Sequence, residues 1–470
     1  MMDVKYLSLV IITFFVCSLT KVQAEERVDD TTAKVVFTNQ EMLDSVFERL
    51  YQLENSRAWK INIVHVGDSH IQADFLTDVI RKSLQSQFGD GGYGFTFPYN
   101  LAKTNGTRSV KYTSTTNWKG RLNVSPISSA MKIGLSGIGL STDDSNFKIQ
   151  INTIKELPFN SIKVLYSTEE SQYQISLTDI PITQVVEQKN KEKGYTIHRI
   201  RRGETLSVIA ANYKTTINAI KEENKLPSSD NIQAGSTLRI PNSGKVKTTT
   251  RSVPVRKRDY VDLQSYPYYS SFISPEPLNN ISVYSRGNIR SHDINGFVLE
   301  NDKPGLIYHC IGVNGAKLSD YIKYPLFFRQ LAILKPDLVV LSFGTNESYQ
   351  KLSTEQYVQK VQEMISKIRS EYPGSIVLVM TPPPSLVRRR TENTLVGDYS
   401  TALMQLENVP VWDLYTKMGG TKGILDGGKY ASIIARDKIH YTIKGYQAQG
   451  EMFAEDFLEA YKQFKERRID

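Results

Sequence analysis

The sequence predicts an α/β chain: a doubly wound parallel-sheet domain, interrupted by a β-sandwich-like module that itself carries a small β-α-α-β module. Three observations predict it. Apolar strand runs alternate with helical stripes at both ends of the chain, as in Ile61-Asn62-Ile63-Val64-His65-Val66 and Leu338-Val339-Val340-Leu341-Ser342. Between about Tyr112 and Gly305 the pattern changes to short alternating runs separated by turn residues. Within that stretch, residues 194–241 form a compact unit flanked by Lys/Arg-rich linkers, Gln188 to Lys193 and Lys245 to Arg258.

Taken in order, Lys5 precedes an apolar run from Tyr6 to Leu19, and Val22-Gln23-Ala24 supplies small residues before Glu25. That pattern predicts a secretory signal over 1–24, too short for a stable membrane anchor. It implies passage across the inner membrane to the periplasm or cell envelope. Asn39 to Glu54 places Met42, Leu43, Val46, Phe47, Leu50 and Leu53 at helical spacing ahead of the first strand. Thr77 to Phe88 is a second helix, with residues 89–94 as its glycine-rich exit loop. Phosphate-cradling glycines would have to open a helix, and these follow one. The parallel-sheet domain spans 25–111 and 306–470, and the β-rich module 112–190 and 250–305. After residue 306, Asp320 to Leu334 reads as one helix and Thr354 to Glu371 as another. Strands Ser375 to Met380 and Val409 to Leu414 follow, then a long C-terminal helix.

Chemistry collects at the carboxyl ends of the strands, where open parallel sheets form their sites. Gly67-Asp68-Ser69-His70 follows the first strand, and Asp437-Lys438-Ile439-His440 lies near the far end. Serine is a poor nucleophile at neutral pH unless a base, oriented by a carboxylate, accepts its proton. Ser69, His440 and Asp437 supply those three parts. Of the other five histidines, His70 is the rival base, but as the immediate neighbour of Ser69 it should point elsewhere. Asp68 reads as a residue shaping the serine turn. No His/Cys/carboxylate cluster has metal-ligand spacing, and no cofactor is called for.

With Gly312-Val313-Asn314-Gly315-Ala316 and Gly344-Thr345-Asn346-Glu347, these segments resemble the four blocks of the SGNH (GDSL-type) hydrolase family, in order. The resemblance implies catalytic Ser69, Asp437 and His440, and an oxyanion hole of Ser69, Gly315 and Asn346. Block one departs from the usual form at His70, and block three at Glu347. The extended first block through Thr77, residues 88–94 and the Gly-Thr-Asn-Glu form resemble bacterial peptidoglycan O-acetylesterases. Residues 195–210, 216–224 and 232–241 resemble a LysM domain. That likeness implies a groove for N-acetylglucosamine-containing glycan built from Gly203, Thr205, Leu206, Asn224, Leu226 and Ile232.

Composition agrees with an ordinary globular chain: 470 residues, 40% hydrophobic and 23% charged, with net charge +9. The positive balance suits an anionic envelope polymer, and no nucleic-acid motif is present. Once the leader and Cys17 are removed, Cys310 is alone in an apolar strand, so no internal disulfide can form. The expected activity is removal of O-acetyl groups from peptidoglycan. The open alternatives are an esterase or acetyltransferase acting on another acetylated polysaccharide or lipid, and a non-catalytic peptidoglycan-binding protein.

Overall fold

A computed structural model describes residues 37–127, 131–177, 188–191, 194–227, 231–242, 246–249, 260–287, 289–388 and 391–469. The expected leader and most of the second linker lie outside these residues, whereas Gln188–Lys191 of the first pairs antiparallel with Val246–Thr249 of the second. Five strands make the central sheet: β1 (Lys60–Gly67), β2 (Gly305–Gly312), β3 (Leu338–Ser342), β4 (Ile376–Met380) and β5 (Val411–Trp412). They run all parallel in the order β2-β1-β3-β4-β5, a doubly wound topology whose order reverses at β1.

Side-chain alternation explains why both faces need cover. Val64, Val66, Ile311, Val339, Leu341 and Val379 join one apolar cluster. Their neighbours Ile61, Ile63, Leu306, Tyr308, Leu338 and Val340 join another. Helices Asp44–Ser56, Phe75–Phe88 and Ile443–Ile469 supply the second cluster with Phe47, Ile80, Leu84, Phe457 and others. On the opposite face lie Pro325–Ile333, Thr354–Glu371 and Thr394–Leu403.

The single helix expected over Asp320 to Leu334 is two, Leu318–Ile322 and Pro325–Ile333. Pro325 is the cause. It lacks the N–H an interior position needs, but fits the first turn of a new helix, where that donor is an orphan anyway.

The β-rich module is a sandwich of two five-stranded antiparallel sheets with a three-stranded sheet beside it. Its strands start earlier than the sequence suggests. Gly94–Thr96, at the end of the expected exit loop, pairs with Gly296–Glu300, and Val110–Ser114 pairs with Lys148–Thr153. Sandwich residues such as Phe147, Ile149, Phe159, Val164 and Phe297 belong to the same apolar cluster as one face of the central sheet. The two layers are therefore packed as one body.

The small module is organised differently. Strands Gly194–Arg199 and Thr237–Asn242 pair antiparallel, Gly194 facing Asn242, so its two ends meet. Helices Leu206–Asn212 and Ile217–Asn224 are capped by Thr205 and Thr216, whose hydroxyls accept from Val208 and Ala219 N–H. Ile200, Leu206, Ile209, Ala210, Ile220, Leu238 and Ile240 form its own core.

Candidate active site

Ser69 opens a one-turn helix, Ser69–Gln72, at the carboxyl end of β1. Asp68 shapes this turn: its Oδ1 accepts the backbone N–H of His70 at 2.9 Å. The packing leaves no room at the flanking glycines. A Cβ on Gly67 would meet Ile71 at 2.5 Å, and one on Gly312 would meet the backbone N of Gln72 at 2.4 Å.

The chain returns to Ser69 from the far end. His440 Nε2 lies 2.9 Å from Ser69 Oγ, and His440 Nδ1 lies 2.8 Å from Asp437 Oδ2. Asp437 Oδ1 also accepts the backbone N–H groups of Ile439 (3.0 Å) and His440 (2.9 Å), closing a tight turn. A bridge between Ile434 and Tyr441, and the Leu386 N–H donated to Lys438 O at 2.8 Å, anchor that turn. Partial burial pushes the Asp437 carboxyl up. The hydrogen bonds from the His440 ring and the two backbone donors outweigh it and bring the group down to about 2. Asp437 is thus an ionised acceptor for Nδ1–H, leaving Nε2 to face the serine hydroxyl.

His70 and His65 have other partners. His70 is buried between Tyr446 Oη (3.1 Å from Nδ1) and Thr345 Oγ1 (3.2 Å from Nε2), and burial pulls it down to about 3. Neutral and turned from Ser69, its ring supports that of His440 at a centroid distance of 5.4 Å. His65 is enclosed between Ser342 and Tyr308. Cys310 is buried, and burial raises its thiol well above the ordinary range.

Gly315 and Asn346 lie on the loops that follow β2 and β3. Gly315 is exposed at φ +77°, a left-handed conformation that favours glycine, and open space surrounds its α-carbon. The Asn346 amide donates to Asp68 Oδ2 and to Ala316 O, both at 3.0 Å. Both of its N–H groups are therefore engaged, and the same contacts tie the three loops together. Glu347 completes the lattice, accepting from Leu318 N at 2.8 Å and Gly344 N at 3.0 Å. Burial raises Asp68 to about 8, with Glu347 adding to the rise, and burial raises Glu347 to about 7. Sequence reading gave Glu347 a structural role but not these partners. It also missed Gln72, whose Nε2 donates to Thr104 Oγ1 (2.9 Å) and Asn105 O (2.6 Å), and whose Oε1 accepts from Asn314 N. Glu347 stood out only as a departure within block three, and Gln72 only as part of the extended first block.

In the small module, Gly203 and Thr205 are exposed at the first turn, and Leu226 and Ile232 are partly buried against the core. Leu206 is turned inward, 1% exposed. The Asn224 side chain holds its helix to the closing strand, donating to Arg239 O at 2.6 Å and accepting from Arg239 N at 2.7 Å.

The GDSL-like lipase/acylhydrolase family matches residues 296–448, and the LysM domain matches residues 198–241. Residues 296–448 thus form a GDSL-like lipase/acylhydrolase domain, and the same chain carries a LysM domain. The family match holds Gly315, Asn346, Asp437 and His440, whereas Ser69 lies ahead of it, separated by the inserted modules. The solved structure of a peptidoglycan O-acetylesterase aligns over 91% of this chain and 100% of that one, with TM-score 0.60 and 19% identity. The two share their fold. A lipase/acylhydrolase from Enterococcus faecalis aligns over 33% of this chain and 76% of that one, at 23% identity and TM-score 0.26. A cortical fragment-lytic enzyme of Bacillus subtilis (strain 168) is 44% identical over 48 residues. That match covers 10% of this hydrolase, which spans about 11% of the length of that curated relative. Among the chain's described residues no helix is long and apolar enough to cross a membrane.

Proposed function

We propose that this hydrolase is an exported serine esterase that removes O-acetyl groups from peptidoglycan, held on the glycan by its LysM domain. The observation that carries the reading is the continuous line from Ser69 Oγ through His440 to Asp437, at 2.9 and 2.8 Å. A LysM domain in the same chain, the O-acetylesterase fold and the leader-like residues 1–24 support the substrate and its compartment.

His440 takes the proton of Ser69 as Oγ attacks the acetyl carbonyl. Ser69 and Gly315 N–H groups receive the negative charge that develops on the carbonyl oxygen. Asn346 adds its amide as one of its contacts, to Asp68 or to Ala316, is exchanged for the oxyanion. A protonated Asp68 suits that exchange, because a neutral carboxyl holds the amide less firmly than a carboxylate. Collapse of the intermediate passes the His440 proton to the sugar oxygen, leaving acetyl-Ser69. Water, deprotonated by His440, then releases acetate and restores the serine.

The test is acetate release from O-acetylated peptidoglycan beside the same material stripped of its esters. Release confined to the acetylated sample and abolished by Ser69→Ala is expected. Hydrolysis of a small acetyl ester with no acetate from peptidoglycan would refute the substrate assignment while leaving the esterase intact.

A further inference from the structure

Gly315, the proposed backbone donor to the oxyanion, sits in a four-residue turn. Ala316 N–H donates to Val313 O at 3.0 Å, and Gly315, at the third position, has the positive φ of +77° that a type II turn requires. The central peptide of such a turn, here between Asn314 and Gly315, carries the Gly315 N–H and takes no part in the closing bond. Among the described residues that N–H has no acceptor. Its direction is therefore set by whatever holds Asn314.

Asn314 is held twice. Its backbone N–H donates to Gln72 Oε1, and its side-chain amide donates to Asn105 Oδ1 at 2.7 Å. Gln72 is 1% exposed and stands on the one-turn helix that Ser69 opens. Its Nε2 donates to Asn105 O at 2.6 Å, to Thr104 Oγ1 at 2.9 Å and to Asn105 Oδ1 at 3.1 Å. One amide thus meets an N–H with its oxygen and several acceptors with its nitrogen, so its orientation is fixed and both ends are satisfied. The backbones leave no slack either: a Cβ on Gly312, at the entrance to the turn, would meet Gln72 Cα at 2.7 Å. A single buried side chain therefore joins the serine's helix to the turn that carries Gly315.

We infer that Gln72 is a positioning residue for the oxyanion hole, fixing the Gly315 N–H relative to Ser69 before substrate arrives. The inference rests on the proposed Ser69 esterase with Gly315 as a donor, and not on the identity of the acetylated substrate. A preorganised donor acts through its aim, and a displacement of about 1 Å forfeits much of its effect. Gln72→Met tests this in the full-length chain, keeping the side chain's length while removing both polar ends. It is assayed on 4-nitrophenyl acetate and on the thiono analogue, in which sulfur replaces the carbonyl oxygen. That sulfur is a weak hydrogen-bond acceptor on a longer bond, so it gains little from donors placed for oxygen. For the oxygen ester, kcat should fall about thirtyfold with KM within about twofold of wild type. The thiono ester should lose no more than about threefold, so the enzyme's preference for oxygen drops roughly tenfold. A merely structural role would lower both rates alike. Asn105→Ala, at an exposed position, releases only the Asn314 side chain and should narrow the same preference by about threefold. If Gln72→Met fails to fold, Asn105→Ala carries the test. Equal losses on the two esters, or no loss, in the folded variants overturn the inference and leave Ser69 as the nucleophile. Hydrolysis by Ser69→Ala at the wild-type rate overturns both.

Discussion

The sandwich and the LysM domain are both insertions between the strand that carries Ser69 and the rest of the catalytic sheet, yet they attach in opposite ways. The sandwich shares an apolar cluster with one face of the sheet: Phe297 and Val164 belong to the same cluster as Val64 and Val339. The LysM domain encloses its own core of Ile200, Leu206, Ile209, Ala210, Ile220, Leu238 and Ile240, and its terminal strands pair so that entry and exit coincide. An insertion with a shared core becomes part of its host's stability and its site. An insertion with a private core and adjoining ends can be gained or lost as a unit.

Chemistry and attachment should separate most sharply at the reacting groups. Ser69→Ala and His440→Ala are each expected to lower acetyl-ester turnover by ~10⁴-fold or more, while both proteins still sediment with insoluble peptidoglycan. His70→Ala should lose far less, since His70 only backs the His440 ring. A Ser69→Ala protein that still hydrolyses the ester would remove Ser69 from the nucleophile's role.

Next in size is the oxyanion side. Asn346→Ala should cost on the order of 10²–10³-fold in turnover with KM little changed. The neighbouring acids give this side a pH signature. Asp68 and Glu347 have folded-state values raised above their usual ones, so the folded state binds more protons than the unfolded chain. Stability is therefore fully present below about pH 4 and declines as pH rises through about 7 to 8. In Asp68→Asn the fall in melting temperature between pH 5 and 9 should be shallower than in wild type. An equally steep fall would show that Asp68 is not the group responsible.

The core comparison itself can be broken by two truncations. Phe297→Ala, at a fully buried ring stacked on Tyr112, should cost about 3–5 kcal/mol and lower the temperature at which ester turnover is lost. Ile209→Ala empties a comparable site in the LysM core and should leave that temperature unchanged. Equal shifts would mean that the two insertions unfold together. The smallest effect on catalysis is expected when residues 194–241 are replaced by a short Gly/Ser linker: turnover of a soluble acetyl ester stays within about twofold. Sedimentation with peptidoglycan and acetate release from it should weaken, because tethering raises the local substrate concentration. Undiminished sedimentation would assign wall binding to the sandwich or the basic surface.

Local signals carried much of this to the surface of the sequence. The helix read over Thr354 to Glu371 is found with those bounds, since apolar spacing and the Ser353 cap act over neighbouring residues. The LysM strands and helices were legible for the same reason. The single helix read through Pro325 failed because an apolar stripe continued across a residue that resets the backbone. Strand Gly94–Thr96 was hidden because its partner, Gly296–Glu300, lies on the far side of both insertions. Gln72 and Glu347 were illegible as organisers for a related reason: what each does depends on backbone donors in other blocks. The engagement of Asn346 with Asp68 likewise becomes visible only when two strand ends stand side by side.

The register of β1 has a consequence in time. Lys60 pairs with Gly305 and Ile63 with Leu338, so the strand that leads to Ser69 has no sheet neighbours until both insertions have been made. Pairing across such separations is slow, because loop closure precedes any reward from contacts. The LysM domain can fold meanwhile on its own short-range contacts. Of Ser69, Asp437 and His440, the histidine is made last, 371 residues after Ser69. A growing chain therefore completes its LysM fold before the three can come together.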